Sequence, residues 1–257
     1  MFRFAFQLLT IIFCISAFAQ KKNTIIYTGN MGVLIYNDRF SVLIDGLHEE
    51  YGVDYVFPSQ ELVKKINTKF KPDVILFTHH HGDHFSNRLA TEYLQNNSEA
   101  LLFGPKQVTK NLSEFGKRIT TINTKNYDKQ TQKLKNTTIT GMKLNHVGKR
   151  HEAVQNVGYI IEQNKIRILH VGDTDWFEEI NLFEQLSLSS ENIDILILPY
   201  WMLLQNSAPE LIKKYIHPKH LIATHIPPKI ENNELLELRK KYKNIHLLTN
   251  IEQEIHF

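Results

Sequence analysis

Two periods of apolar residues alternate down this chain, short β-branched runs and stretches with three-to-four-residue spacing. TIIYTG (24–29), VLIYN (33–37) and FSVLIDG (40–46) predict strands, the second and third joined by a turn at Asn37 and Asp38. The run 73–78, DVILFT, is apolar enough for a strand buried on both faces. Further strands are expected at 101–103, 138–144, 158–162, 166–171, 193–198, 221–224 and 246–249. Helical spacing falls at 61–69, 88–95, 106–115, 209–216 and 233–242. Strands first and then mixed strand and helix, twice over, predict an α/β fold with two sheets face to face and helices outside. No repeat or linker interrupts the 257 residues, so one domain is expected, 20–257.

Composition changes this picture mainly at the N-terminus. Arg3 precedes an apolar run at 8–15, and Ala17-Phe18-Ala19 forms a small-x-small exit, the pattern of a cleaved signal peptide over 1–19. The run is shorter than the roughly 18 to 20 residues a bilayer needs, which disfavours a membrane anchor. Lipidation is the alternative, although Phe13 before Cys14 is not the small residue expected there. A periplasmic or secreted location without stable membrane insertion is expected. Cys14 is the only cysteine and leaves with the signal, so the mature chain has no disulfide, and any metal site must use nitrogen and oxygen ligands. The formal charge of +3 is dispersed, and the basic clusters at 21–22 and 239–241 lack interleaved aromatics. A nucleic-acid partner is therefore not expected; a small-molecule substrate is.

The densest chemistry is FTHHHGDHFS, 77–86. Side chains alternate in an extended stretch, so His79 and His81 project to one side and can share a metal while His80 projects to the other. Gly82 permits a sharp turn, after which Asp83 and His84, at the start of a helix, can face the same pocket from another direction. A second metal could bind there. Three more candidates end apolar strands: His146 in LNHVG, Asp173 in LHVGDTD and His225 in IATHIPP. A chance loop of solvated histidines does not account for HxHxDH directly after a buried strand with such partners elsewhere. Neutral imidazole suits zinc, and a carboxylate adds a hard oxygen ligand.

THHHGDH (78–84) matches THxHxDH in every fixed position, and the sequence thereby resembles the metallo-β-lactamase superfamily over nearly all of the mature chain. That resemblance implies a four-layer αβ/βα sandwich of two mixed β-sheets flanked by helices. It implies that His79, His81 and His146 hold one divalent metal ion, that Asp83, His84 and His225 hold a second, and that Asp173 bridges the two. Zinc is expected, with manganese or iron as alternatives. Asp45, closing FSVLID, falls where the family has a carboxylate that supports the metal loop through hydrogen bonds.

Several neighbours compete for these roles. His151 is an alternative to His146, which the strand-end position favours. Asp175 is an alternative to Asp173 and reads better as a helix cap before Trp176. His170 alternates away from Asp173 and reads as a packed or hydrogen-bonded histidine; His217 and His220 flank a Pro-Lys turn and read as structural or exposed. Trp201 is a candidate substrate contact, with core filling as the alternative. Lys149 and Arg150 face either a substrate anion or solvent.

The expected reaction is hydrolysis of an ester, lactone or phosphodiester by a hydroxide shared between two metals, with Asp83 orienting the water or accepting its proton. One group of β-lactamases in the superfamily needs a cysteine on the second metal, and another usually lacks the aspartate found here as Asp173, so β-lactam hydrolysis is disfavoured. The pattern GDT, DILILP, ATHIPP is more similar to the branch of sugar-lactone hydrolases and phosphodiesterases acting on phospholipid-like substrates. The length leaves no room for the inserted domain of the superfamily's nucleases. A rival is a metal-binding or ligand-sensing protein without turnover, whose sign would be a lost ligand; none is lost. A redox di-iron protein on this fold would place a carboxylate where His81 stands.

Overall fold

The computed structural model describes residues 23–37, 39–176 and 180–257. The predicted signal peptide and Asp38 of the predicted turn lie outside these residues. One seven-stranded sheet contains β1 (Thr24–Gly29), β2 (Gly32–Tyr36), β3 (Val42–Ile44), β4 (Val74–Leu76), β5 (Leu101–Pro105), β6 (Ile119–Ile122) and β14 (Glu254–His256), ordered β14-β1-β2-β3-β4-β5-β6. The other contains β7 (Gln130–Leu134), β8 (Thr137–Lys143), β9 (Val157–Gln163), β10 (Ile166–His170), β11 (Ile195–Pro199), β12 (His220–Thr224) and β13 (Ile245–Leu247), ordered β13-β12-β11-β10-β9-β8-β7. Each sheet is mixed. Pairing is antiparallel from β14 to β3 and from β7 to β10, and parallel from β3 to β6 and from β10 to β13.

Strand alternation explains the layers. Ile25 and Tyr27 of β1, Val74 and Leu76 of β4, and Ile195 and Ile197 of β11 belong to the core between the sheets. The intervening Ile26 and Ile75 pack outward with Leu62 of α1 (Gln60–Lys65) and Leu89 and Tyr93 of α2 (Asn87–Asn96). On the other sheet Leu196 and Leu198 pack outward with Ile212 and Leu238, which lie in α6 (Ala208–Tyr215) and α7 (Asn232–Lys241). The remaining helices are α3 (Lys106–Thr109), α4 (Ile180–Gln185) and α5 (Trp201–Leu204). Each fully buried aliphatic or aromatic side chain contributes about 1.5–3 kcal/mol, so central strands buried on both faces anchor the sandwich. Serines cap α1 and α2: Ser59 Oγ accepts from Leu62 N–H at 3.1 Å, and Ser86 Oγ from Leu89 N–H at 3.3 Å. Among the described residues no helix is long and apolar enough to cross a membrane.

Several expectations need correction. The 106–115 helix is one α-turn followed by a 3-10 segment, Lys110–Arg118, kinked at Leu112 and at Gly116 with φ +58°. The 61–69 helix passes into a π-turn, Ile66–Phe70. The helix after the histidine cluster starts at Asn87 rather than at Asp83. β6, β7, β14, α4 and α5 carry no predicted element; β7 reads QTQKL, four of its five residues exposed, and supplies no apolar alternation.

Candidate metal centre

The two sheets bring four strand ends to one rim. Immediately beyond β4, β8, β10 and β12 the chain delivers His79, His146, Asp173 and His225. His79, His81 and His146 form one cluster; Asp83, His84, Asp173 and His225 form another, and within each cluster one potential ligand atom per residue lies within 4.8 Å of the others. His79 Nε2 is 3.1 Å from His81 Nδ1. Asp173 Oδ2 lies 3.4 Å from His84 Nε2, 3.5 Å from His225 Nε2 and 3.8 Å from His146 Nε2, which places one carboxylate oxygen between the clusters. Asp83 Oδ2 is 3.3 Å from His225 Nε2 and 3.4 Å from His84 Nε2.

Surrounding hydrogen bonds fix which nitrogen faces the centre. Asp45, buried and at φ +47°, accepts Thr78 N–H at 2.8 Å and Thr78 O–H at 2.6 Å, and takes the His84 Nδ1 proton at 2.9 Å. Thr78 Oγ1, its own proton given to Asp45, accepts His79 Nδ1–H at 3.0 Å. His146 Nδ1–H donates to Val147 O at 2.8 Å. Three imidazoles are thereby left with Nε2 toward the cavity, as ligating histidines require. Asp45 accordingly sits where the expected supporting carboxylate should.

Asn30 had no sequence expectation. It sits at φ +48° in the two-residue turn between Gly29 and Gly32, the tip of the β1–β2 hairpin. Asn30 Nδ2 donates to Asp83 O at 3.1 Å and to Asp83 Oδ2 at 2.9 Å, and Asn30 O accepts His225 N–H at 2.8 Å. Met31 O next to it accepts His170 Nε2–H at 3.0 Å, while His170 Nδ1 accepts Gly172 N–H at 3.2 Å. One hairpin tip therefore braces three ligand-bearing loops. A Gly-Asn-Met-Gly stretch between two strands was the available signal.

The alternatives resolve by position. His151 and Asp175 belong to neither cluster; the His151 ring lies 4.7 Å from that of His146 and 4.9 Å from that of His81, at the edge of the pocket. His170 is the buried, hydrogen-bonded histidine expected, and His80 is exposed. His217 follows α6 and His220 opens β12, at the far end of that strand from His225. Gly82 keeps an ordinary φ, and the turn is closed by His84 N–H and Phe85 N–H on His81 O at 3.0 and 2.9 Å. Its lack of a side chain serves another need: a Cβ there would meet the Tyr51 ring at 2.6 Å.

Electrostatics separates the clusters. Burial, reinforced by neighbouring histidines, holds His79 well below the ordinary imidazole range and His81 at about 4; burial also lowers His146. These three are neutral, the form that binds a metal. In the second cluster burial opposes charge, but the Asp173 and Asp83 carboxylates outweigh it, raising His84 well above its usual value and His225 to about 9. Two buried carboxylates here demand positive charge. Among the described residues, His146 Nε2 and Asp173 Oδ1 are buried without a hydrogen-bond partner. One divalent ion per cluster, with Asp173 shared, would give both atoms a partner. The residues fit the expected metals.

Above them is a pocket of about 350 Å³ walled by Tyr51, Tyr55 and Trp201. Tyr55 and Trp201 rings pack edge-on to His225 at 5.6 and 4.8 Å, and Trp201 Nε1–H donates to Thr174 O at 2.9 Å. Residues 23–225 match the family model described as the beta-lactamase superfamily domain. No curated protein matches the sequence. Among solved structures the chain is similar to Igni18, a novel metallo hydrolase from the hyperthermophilic archaeon Ignicoccus hospitalis KIN4/I, at 19% identity and TM-score 0.63, covering 92% of this chain and 98% of that one. It is similar to the metallo-beta-lactamase fold protein YhfI from Bacillus subtilis at 15% identity and TM-score 0.62, covering 92% and 100%. CmlA, a diiron beta-hydroxylase from Streptomyces venezuelae, is similar at 12% identity and TM-score 0.63, covering 92% of this chain and 54% of that longer one. At these identities the likeness is one of fold. With the family match spanning most of the sequence, the chain belongs to the metallo-β-lactamase superfamily of metal-dependent hydrolases.

Proposed function

We propose that the protein is an exported binuclear hydrolase that cleaves an ester, lactone or phosphodiester bond in a small molecule. The observation that carries this reading is the pair of clusters joined by Asp173 Oδ2, with its second oxygen and His146 Nε2 left unsatisfied. In this reading His79, His81 and His146 would hold one divalent ion and Asp83, His84 and His225 the other, with Asp173 available to both. Zinc suits the nitrogen-rich donor set. When bound, the ions lower the pKa of water and polarise the group under attack.

The protein's own groups do the rest. Asp83, aimed by Asn30 Nδ2, orients the attacking water and takes its proton. Neutral His79, His81 and His146 keep their lone pairs for the metal, and Asp45 and Thr78 stop their partners from rotating away. Tyr51, Tyr55 and Trp201 shield the site from bulk water and offer an apolar wall to the substrate. Export rests on the signal pattern at 1–19. The test is a panel of nitrophenyl esters, phosphodiesters and lactones run on metal-quantified protein. Turnover of one class that is lost in Asp83→Asn, together with weaker binding of the second metal, supports the assignment; two metals bound to the wild type with no turnover across the panel would favour a silent metal-binding protein.

A further inference from the structure

Resting on the hydrolase reading, we infer that the substrate carries an anionic group, a carboxylate or phosphate, which a second chamber beside the metal pocket receives between Lys143 and Lys149. His146 and Gly148 line both the metal pocket and an adjoining cavity of about 580 Å³. The chamber therefore adjoins the metal pocket at a metal-site histidine. Lys143 ends β8 three residues before His146, and Lys149 opens a 3-10 turn three residues after it, so the backbone that sets the histidine also sets both cations. Glu152 is the one carboxylate in the lining.

Lys143 is held without being neutralised. Its Nζ lies 4.7 Å from the centroid of the Tyr127 ring, and the Tyr127 hydroxyl accepts Asn145 Nδ2–H at 3.3 Å. A cation–π contact steadies an ammonium while leaving N–H donors for a ligand. Some lysines are paired with carboxylates, as Lys65 is with Glu252 and Lys219 with Asp194. Among the described residues Lys143, Lys149 and Arg150 form no such pair. Arg150 lines the metal pocket itself and extends the positive side toward the ligands. Tyr51, Tyr55 and Trp201 add aromatic surface to the metal pocket. An anionic group on a substrate at the metal centre would be drawn to the neighbouring cations.

The test compares 4-nitrophenyl hydrogen glutarate with neutral 4-nitrophenyl butyrate on the zinc-loaded wild type and on the Lys143→Gln/Lys149→Gln double variant. The wild type should favour the anionic ester in kcat/KM by about tenfold at low salt, the scale of one or two charge-assisted hydrogen bonds. That ratio should fall toward one in the double variant, through KM, and should shrink as salt is raised. An equal ratio in both proteins overturns the inference. If neither protein cleaves either ester, the ester arm of the hydrolase reading fails, and calorimetric titration with glutarate and with glycerol phosphate decides the chamber. Roughly tenfold weaker binding of either anion by the double variant upholds it and names the group, and unchanged affinities overturn it.

Discussion

Asp45 takes three hydrogen bonds, two from Thr78 and one from His84, and so ties the turn before the histidine cluster to the second metal cluster. An amide at this position keeps Oδ1 as acceptor for Thr78 N–H but presents N–H groups to Thr78 O–H and His84 Nδ1–H, which share Oδ2. Asp45→Asn should weaken the second metal about 10- to 100-fold, read by competition with a chromophoric chelator. The first cluster, which Asp45 reaches only through Thr78 Oγ1 and His79 Nδ1, should be weakened less. His80→Ala should leave metal content unchanged, because His80 is exposed and outside both clusters, whereas His79→Ala or His81→Ala should lose an ion by elemental analysis. These side chains were legible because ligand chemistry is local: alternation separates His80 from its neighbours, and strand ends point to His146, Asp173 and His225. Asn30 and Tyr51 were not. Their roles depend on what a distant hairpin and loop pack against, which no local spacing records.

Elements carry the next level of constraint. The β1–β2 hairpin reaches the centre because its tight turn permits Asn30 and Met31 to project their polar groups past the strand ends. Gly172 does a similar service for Asp173. It sits at φ +63°, and a Cβ there would overlap Asn156 Oδ1 and approach Thr78 Cβ at 2.9 Å. Gly172→Ala should cost about 1–3 kcal/mol in denaturant unfolding and also reduce metal content, since strain at this turn moves Asp173 directly. Central strands were readable because burial on both faces forces continuous apolar runs, as in DVILFT and DILILP. The edge strands β6, β7 and β14 were not. Pairing on one side only lets them keep polar residues, so the backbone ladder rather than composition defines them.

At the scale of the molecule, the parallel halves of both sheets direct several strand C-termini to one rim, and the inter-sheet core of Tyr159, Ile168 and Ile197 keeps that rim in register. Tyr159 O–H on Phe77 O at 2.9 Å and Val157 N–H on Thr78 O at 2.8 Å lock the sheets together beneath the site. This packing also buries His48, whose Nε2 lies 3.4 Å from Gly29 O. Burial lowers its pKa from 6.5 to about 4. Between those values the unfolded chain binds the extra proton, so the stability His48 contributes is complete above about pH 6.5 and is lost as the pH falls toward 4. The loss attributable to this residue is about 3 kcal/mol. Urea unfolding of the wild type and His48→Gln from pH 7 to pH 4 should show a shallower decline in the variant, and parallel curves would remove His48 from the explanation. The fold class was legible from the order of runs, while the convergence of the loops required the sheets to be assembled.

The binuclear centre itself is tested most directly by the zinc content of purified chain after equilibration with excess zinc and removal of the unbound ion. Two ions per chain is the predicted result; one or fewer would contradict the binuclear assignment on which the proposed chemistry depends.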